Sequence, residues 1–387
     1  MKSVSIILCI ILLLCNHLVD AQNDVGMSGQ EVGNKVLNPA IPFLNLTPDA
    51  RGGALGGSGA ATDPDVNSLY WNNAKLVFIE QKIGGTLSYT PWLNKIANDM
   101  FISYVAGHLK IDDRQAVGVS MRYFNLGDFQ INDKLGAYVA DLSPYEMAFD
   151  ATYSRKLSDQ LSIGVTGRFI SSNVSRQFEL LEDIGVVYSM AVDLGVFYKK
   201  SMTLAGKNTD LSLGAHLSNF GPKINYGNNS SKDFIPTNLR IGVALKNYLD
   251  NYHSLTFVFD INKLMVPTPP VYEKDESGNL NIIDGKDPDR GLFAGTFGSF
   301  GDAPGGMKEE LQELIFSGGL EYSYKNTAAL RVGYFHENKN KGNRRYLTFG
   351  TGFKYRAFGF DVSYLVPVVE NHPLAETLRL SLLFNVD

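Results

Sequence analysis

The sequence predicts an all-β protein: a transmembrane antiparallel β-barrel of 14 strands, preceded by an N-terminal segment that is irregular or forms short helices. The main observation is a series of fourteen segments of alternating apolar and polar residues between Lys82 and Val386. The connections between these segments switch regularly between long and short. Even-numbered antiparallel strands, with short turns at one end and long loops at the other, are typical of bacterial outer-membrane barrels.

Residues 1–21 predict a signal peptide. Its apolar run from Val4 to Leu14 is too short to span a bilayer, and a small-residue cleavage site ends just before Gln22. A lipoprotein signal at Cys15 would need a small residue before the cysteine, and a leucine stands there. Because Cys9 and Cys15 are the only cysteines, the mature chain is expected to have no disulfide and no thiol metal site.

Residues 22–81 do not alternate and are expected to form a hatch-like segment before the barrel. Its glycines, between Gly52 and Gly59, suit flexible backbone that packs closely. A short helix is expected from Leu69 to Val77. The acidic start of a calcium loop at Asp63 is not continued, because the glycine and the closing glutamate of such a loop are missing. We therefore expect no metal and no cofactor.

The strands of residues 82–387 each have one apolar face and one small, polar face. In one strand, Val117, Val119 and Met121 alternate with Gly118 and Ser120. A soluble barrel would carry lysine and glutamate on its outer face, whereas here the second face carries glycine, alanine, serine and scattered arginine. Lipid outside and a crowded polar lumen inside therefore fit the pattern better.

The arginines of the polar face are expected to point into the lumen. An arginine on the lipid side near the midplane would cost about 2–4 kcal/mol. They either fill the lumen by pairing with interior acids or contact a ligand directly. The expected lumen-lining residues are Arg122, Arg168, Arg240, Arg331, Arg379 and His216.

The connections fix the expected orientation in the outer membrane. The short ones lie near residues 112–113, 158–159, 201–208, 249–252, 325–326 and 356–357. The long ones are 125–144, 171–185, 221–235, 264–310, 337–344 and 367–375. With both termini in the periplasm, every long loop would face outside the cell.

The connection at residues 264–310 is much longer than ordinary loops, and long loops are commonly functional. It contains a polar turn at Asp284 to Asp289, for which cation binding stays open, and a short helix is expected at Met307 to Leu314. Three phenylalanines of this loop are not expected to stay in water, so they either plug the barrel mouth or bind another protein. The candidate partner-binding residues are Phe293, Phe297, Phe300 and Met307.

Enzymatic function is not expected. The sequence has no Gly-x-Ser-x-Gly nucleophile motif and no His-Glu-x-x-His zinc motif. Of the histidines only His216 is expected to face inward, as a hydrogen-bonding lumen residue. The net charge of −5 argues against nucleic acid as a partner.

Several segments resemble a known family. The run Pro-Asp-Ala-Arg at Pro48 to Arg51 and the run Asp-Val-Asn-Ser-Leu-Tyr-Trp-Asn-Asn-Ala-Lys-Leu at Asp65 to Leu76 resemble the start of FadL-like barrels. With the strand at Gly118 to Phe124 and the ending at His372 to Leu380, the chain resembles more specifically the PorV family. Where family members usually read Asn-Pro-Ala after the tryptophan, this chain has asparagine at position 73.

The resemblance implies a fourteen-stranded FadL-like barrel of the type IX secretion system in Bacteroidetes. Such a barrel would bind the C-terminal signal domain of secreted cargo, take cargo from a large translocon barrel, and deliver it to a surface attachment complex with a sortase-like protease. Outer-membrane lipid would surround it. Two alternatives stay open: a FadL-like channel for uptake of hydrophobic small molecules, and a structural barrel that plugs the translocon.

Overall fold

Fourteen antiparallel strands close into a barrel, which confirms the predicted fold class. The computed structural model describes residues 36–93, 99–132, 135–174, 186–226, 232–276, 280–369 and 373–386. The predicted signal peptide and its cleavage site lie outside these residues. In chain order the strands are β1 (Ile83–Pro91), β2 (Phe101–Asp112), β3 (Gln115–Asn125), β4 (Phe129–Asn132), β5 (Tyr138–Leu142), β6 (Tyr145–Lys156), β7 (Leu161–Ser172), β8 (Val187–Leu204), β9 (Lys207–Phe220), β10 (Asn238–Tyr248), β11 (His253–Leu264), β12 (Val271–Lys274), β13 (Leu280–Asp284), β14 (Leu314–Tyr324), β15 (Ala328–His336), β16 (Arg345–Tyr355), β17 (Phe358–Pro367) and β18 (Leu378–Val386).

Two hairpins, β4–β5 and β12–β13, stand outside the barrel within long connections. The described helices are short: two 3₁₀ helices, η1 (Pro42–Asn45) and η2 (Asn73–Phe78), and four α-helices, α1 (Ala50–Ala54), α2 (Ser68–Trp71), α3 (Leu292–Gly298) and α4 (Gly306–Gln312). Among the described residues, no helix combines the length and apolarity needed to cross a membrane. The helix predicted at 69–77 is present as two pieces, α2 and η2, and the one predicted at 307–314 is α4, one residue earlier at its start.

The barrel has a short-turn end and a long-loop end, and the strand termini lie at the first. Ile83 of β1 pairs with Val386 of β18, so the barrel begins and ends at the short-turn end. The described chain nevertheless begins at the other end. The backbone N–H of Ala40 donates to the carbonyl oxygen of Phe234, which lies in the long β9–β10 connection, at 2.9 Å. The predicted mature N-terminus lies outside the described residues, so the placement of both termini in the periplasm stays a prediction.

Residues 36–79 run from the long-loop end through the lumen to the short-turn end, and we call them the plug. Near its end, the ring of Phe78 lies 5.4 Å from that of Phe197. Inward glycines let the plug backbone touch the wall: a Cβ atom on Gly214 would overlap Ala60, and one on Gly333 would overlap Gly56. The crowded lumen explains why the side chains on the polar face of the strands are so small.

Wall hydroxyl groups satisfy the backbone of the plug. Thr348 Oγ1 accepts from the N–H of Gly56 at 3.0 Å and donates to the carbonyl of Ala54 at 2.9 Å. Ser162 Oγ donates to the carbonyl oxygen of Ala74 at 2.6 Å. Short helices leave many backbone groups without partners, and these side chains supply them where water is excluded.

The outer wall is apolar, with aromatic rings near both ends. At the long-loop end, Tyr89, Phe101, Tyr123 and Tyr145 follow one another on adjacent strands with ring centroids 5.5–6.1 Å apart. At the short-turn end, Phe358 lies 5.3 Å from Phe384. Aromatic girdles at the two membrane interfaces are characteristic of transmembrane barrels.

Candidate functional site

The structure places the six predicted lumen residues inside the barrel. Arg122, Arg168, Arg240, Arg331, Arg379 and His216 are all buried. His216 is not the only inward histidine, which corrects the sequence expectation: His108 is also buried, and its Nε2 lies 3.2 Å from the carbonyl oxygen of Gln81. Both ring nitrogens of His216 lack a hydrogen-bond partner among the described residues, and its Nε2 is 4.0 Å from Asp193.

Three of the five arginines pair with interior acids. Arg168 Nε donates to Asp150 at 2.6 Å, and its Nη2 donates to Asp193 at 2.8 Å. Arg122 lies 3.8 Å from Asp150 and donates to the carbonyl oxygen of Leu44 in the plug at 2.7 Å. These contacts make the arginines part of the packed lumen.

Arg331 joins the wall to the plug through a shared acid. Its Nε donates to Glu321 at 2.6 Å, and its Nη1 bonds Asp361 at 2.5 Å. Glu321 also accepts from Arg51 of the plug at 3.0 and 3.1 Å. Arg51 in turn bonds Asp65 at 2.8 Å, so an arginine engages this acid, which follows Asp63 in the segment that only mimics the start of a calcium loop.

Arg240 and Arg379 have no carboxylate partner within 4 Å among the described residues. Arg240 Nε donates to Asn262 Oδ1 at 2.8 Å, and its guanidinium carbon lies 4.7 Å from the ring centroid of Trp71. Arg379 makes no hydrogen bond with a described residue, and its Nε atom is buried without a hydrogen-bond partner. These two residues therefore differ chemically from the other three.

A strand irregularity between β8 and β9 is filled by side chains. The register shifts between Val192 and Leu194, and Asn219 takes a left-handed φ of 59°. Asn219 accepts from Arg168, and its N–H donates to Asp193 at 2.7 Å. All three side chains are buried, so at this position the described wall offers no lateral passage.

A cavity of about 330 Å³ opens between the plug and the long loops, and we call it the mouth cavity. Its wall includes the start of the plug, the ends of several strands, and the β15–β16 connection. Its polar lining residues include Arg240, Arg344, Arg379, Asn238 and Asn262, and its apolar ones include Leu46, Trp92, Ile315, Phe335 and Leu374.

The long β11–β14 connection exposes its aromatic side chains. Phe293 is 67% exposed, Phe297 54% and Phe300 48%, and Met307 is 71% exposed. Phe293 and Phe297 stack at 6.5 Å between ring centroids, and Phe220 lies beside both. Of the two alternatives left by the sequence, plugging of the mouth by these phenylalanines is wrong, since they point into solvent. The apolar tip below denotes Phe293, Phe297, Phe300 and Met307.

The base of this connection is a buried ionic cluster, which we call the loop base: Lys263, Glu309, Glu310, Glu313 and Lys341. Glu313 bonds both lysines and accepts from Thr268 Oγ1 at 2.6 Å. Glu310 bonds Lys263 at 2.9 Å and accepts from the backbone N–H groups of Asp302 and Ala303.

Glu310 also shows the electrostatic effect of this arrangement. Burial alone would raise the pKa of Glu310, but the backbone N–H of Ala303 and the charge of Lys263 outweigh it and hold the pKa below its usual value. Charge pairing thus fixes α4 to strand β11 and to the β15–β16 connection. The apolar tip is carried on a braced support.

Sequence reasoning missed several parts of this end of the molecule. The hairpins β4–β5 and β12–β13 and the helix α3 were not predicted, and neither was the loop base. Lys263 lies on β11, whereas Lys341 lies in the β15–β16 connection, so no local sequence pattern joins them. Among the described residues, no group of three or more His, Cys, Asp or Glu side chains is placed to hold a metal ion.

The profile of the family described as type IX secretion system protein PorV matches residues 29–271. That span is more than half of the chain. The chain belongs to the PorV family. It is therefore a component of the type IX secretion system in the outer membrane, as its barrel fold also indicates. The match ends in β12, so α3, α4 and the apolar tip of this PorV-family barrel lie beyond it.

Solved structures share the fold at low identity. A TodX deltaS2S3 mutant monoaromatic hydrocarbon channel is 13% identical, with 87% of this chain and 96% of that chain covered and a TM-score of 0.51. The toluene transporter TbuX of Ralstonia pickettii is 11% identical, with 90% and 100% covered and a TM-score of 0.48. A FadL homologue of Pseudomonas aeruginosa is 11% identical, with 92% and 100% covered and a TM-score of 0.44. No curated protein sequence matches the chain.

Proposed function

We propose that this PorV-family barrel is a cargo adaptor. It binds the C-terminal signal domain of secreted proteins, receives them from the large translocon barrel, and passes them to the surface attachment complex with its sortase-like protease. The long-loop end, led by residues 264–310 and assisted by 125–144 and 367–375, is the binding surface and faces outside the cell. The observation that carries the proposal is the PorV family match, joined to an apolar tip held on a braced loop.

The apolar tip suits a protein partner better than water. Exposed aromatic and methionine side chains are enriched in the energetically dominant parts of protein interfaces. Here they lie on and between two short helices of a connection whose base is held by buried ion pairs, so little conformational freedom is lost on binding. The loop base therefore holds the apolar tip in place before a partner binds.

The filled lumen favours the adaptor over uptake of hydrophobic small molecules. A channel needs a path through the barrel, whereas inward glycines of this wall contact the plug backbone and the β8–β9 irregularity is packed with Arg168, Asp193 and Asn219. The names of the structural neighbours describe toluene and hydrocarbon transport, and the mouth cavity keeps that alternative worth testing. A purely structural barrel would also carry a plug, but it would not need an exposed aromatic tip.

The test is affinity purification of the tagged barrel from native outer membranes, followed by mass spectrometry. We expect secreted proteins that still carry their C-terminal signal domain, or a very large translocon barrel. Deleting Gly291 to Gly306 should abolish this recovery while heat-modifiable mobility of the barrel on gels stays intact. A lone wild-type barrel with a bound fatty acid would instead support uptake, and unchanged recovery after the deletion would refute the loop assignment.

A matched set of substitutions separates the apolar tip from loop length. In the test variant, Phe293, Phe297 and Phe300 are replaced by serine. In the control, three other exposed apolar residues of the same connection are replaced by serine: Tyr272, Ile282 and Ile283. We expect loss of partner recovery in the first variant only. Equal loss in both would mean that general apolarity of the connection, rather than the tip, is what partners bind.

A further inference from the structure

The mouth cavity contains a buried cation that forms no ion pair within 4 Å with a described residue. Arg379 is 3% exposed, lines the cavity, and has neither an ion pair nor a hydrogen bond with a described residue. The nearby carboxylate of Asp49 accepts from Trp71 Nε1 at 2.6 Å and from the N–H of Gly52 at 2.8 Å, and it acts on Arg379 only from beyond 4 Å. Burying a charge without a partner is costly, so a group that supplies the opposite charge would bind there favourably.

A second arginine of the cavity also lacks an ion pair. Arg240 uses two of its five N–H groups as donors, to Asn262 and to the carbonyl oxygen of Trp71. It forms no ion pair within 4 Å with a described residue. The other cations of the lining are neutralised, because Arg344 is held bidentately by Glu337, and Lys341 by two acids of the loop base. Of the cations in the lining, Arg240 and Arg379 are therefore the two that lack an ion pair with a described residue.

The remaining polar lining also offers donors for a peptide. The amide nitrogens of Asn238 and Asn262 make no hydrogen bond with a described residue, and both residues are buried. Beside them lie apolar side chains such as Leu46, Trp92 and Phe335. About 330 Å³ is at the lower end of the range for binding cavities and suits a chain end rather than a folded element.

We propose that the mouth cavity binds the terminal carboxylate of an extended peptide, with Arg379 and Arg240 as its counter-charges. A guanidinium matches a carboxylate in geometry and can bond it through two parallel N–H groups. The mixed lining of amides and apolar side chains suits a peptide end more than an acyl chain alone. This inference rests on the proposed function, in which the partner binds through its C-terminal domain, and it assigns the last residue of that domain to this cavity.

The test compares two forms of one ligand on two forms of the barrel. The ligand is a signal domain recovered with the wild-type barrel, prepared with a free C-terminal carboxylate and with that carboxylate converted to a primary amide. The barrels are wild type and Arg379→Gln, both in detergent and both checked for heat-modifiable mobility. The wild-type barrel should bind the carboxylate form about tenfold or more tightly than the amide. Arg379→Gln should bind both forms alike.

This double comparison distinguishes contact from a merely structural role. If Arg379 only supported the fold, its loss would weaken both ligand forms equally, and the inference would be overturned. Arg240→Gln is the second variant, for use if Arg379→Gln does not fold, with the same expectation. Arg155→Gln, an exposed arginine on β6 near the short-turn end, should retain the full preference for the carboxylate.

The outcomes separate this inference from the proposed function. Binding of neither form to the wild-type barrel would refute both. Equal binding of both forms would refute the carboxylate site and leave the adaptor function standing. An oleate arm tests the other source of a carboxylate: binding of oleate that depends on Arg379, with equal binding of the two peptide forms, would assign the cavity to a lipid and overturn the peptide proposal.

Discussion

The lumen and the long-loop end of this barrel use polar side chains in different ways. In the lumen, the acids Asp150, Asp193 and Glu321 pair with arginines, and wall hydroxyl groups bond the plug backbone. At the long-loop end, ion pairs hold up a loop whose apolar side chains remain in solvent, and Arg379 stays without a partner.

The difference distinguishes residues that stabilise the barrel from residues that are available to bind a partner. Groups that satisfy one another inside a closed space stabilise it but are not available to a ligand. Binding of a partner is favourable for exposed aromatic side chains, which leave water, and for an arginine without an ion pair, which gains a counter-charge. We therefore assign the lumen to stability and the long-loop end to recognition, and four predictions test that division.

The largest effect is expected from filling the space that the plug backbone occupies. In Gly214→Leu the new side chain would overlap the carbonyl group of Ala60, and overpacking typically costs about 1–3 kcal/mol or more. We expect a lower thermal midpoint and a displaced plug. Trp71 reports on the plug, and in a Trp92→Phe background it is the only tryptophan, so its emission should shift to longer wavelength.

A matched glycine on the outer wall provides the control. Gly167 faces outward on β7, and a Cβ atom there would meet nothing within 4 Å. Gly167→Leu should leave the thermal midpoint and the Trp71 emission unchanged. If Gly214→Leu behaved the same way, the plug would not be packed against the wall as described, and the lumen would be open to a transported solute.

An intermediate effect is expected at the loop base. Glu313→Gln keeps the side-chain shape but removes the charge shared by Lys263 and Lys341, and breaking a buried pair commonly costs about 3–5 kcal/mol. The barrel should stay folded, while protease cleavage within residues 291–306 accelerates and partner recovery falls about tenfold. Glu273→Gln, on the exposed β12–β13 hairpin, is the control and should change neither. Unchanged cleavage in Glu313→Gln would show that the base does not brace the loop.

The same base predicts a pH dependence. The pKa of Glu310 is held below its usual value, so its stabilising contribution is present above the unfolded-state pKa of about 4.3 and is lost as pH falls through the lower folded-state value. Protease resistance of the loop should therefore be flat from about pH 8 to pH 5 and decline only in more acidic solution. A decline near neutral pH would contradict this assignment.

The strand pattern is sufficient to predict the closed barrel, because the side-chain period of two and the alternation of connections extend from Lys82 to Val386. The inward arginines followed from the same pattern. Helix α3 could not be predicted, since seven residues carry almost no periodic signal and owe their helix to packing of Gly295 against Phe234. The path of the plug was also missed, because its contacts join residues far apart in sequence.

The smallest effect is expected where the chain departs from its family. Asn73 is the first residue of η2, its N–H makes no backbone hydrogen bond among those described, and Asn72 before it is extended with φ −166° and ψ 104°. These conditions suit proline, so Asn73→Pro should fold normally. It would lose the bond from Asn73 Nδ2 to Thr166 Oγ1 at 2.9 Å, worth about 1 kcal/mol, and regain part of that through a more restricted unfolded chain. The thermal midpoint should shift by no more than a few degrees, and partner recovery should be unchanged. A large loss of stability would show that the asparagine amide is essential to this plug.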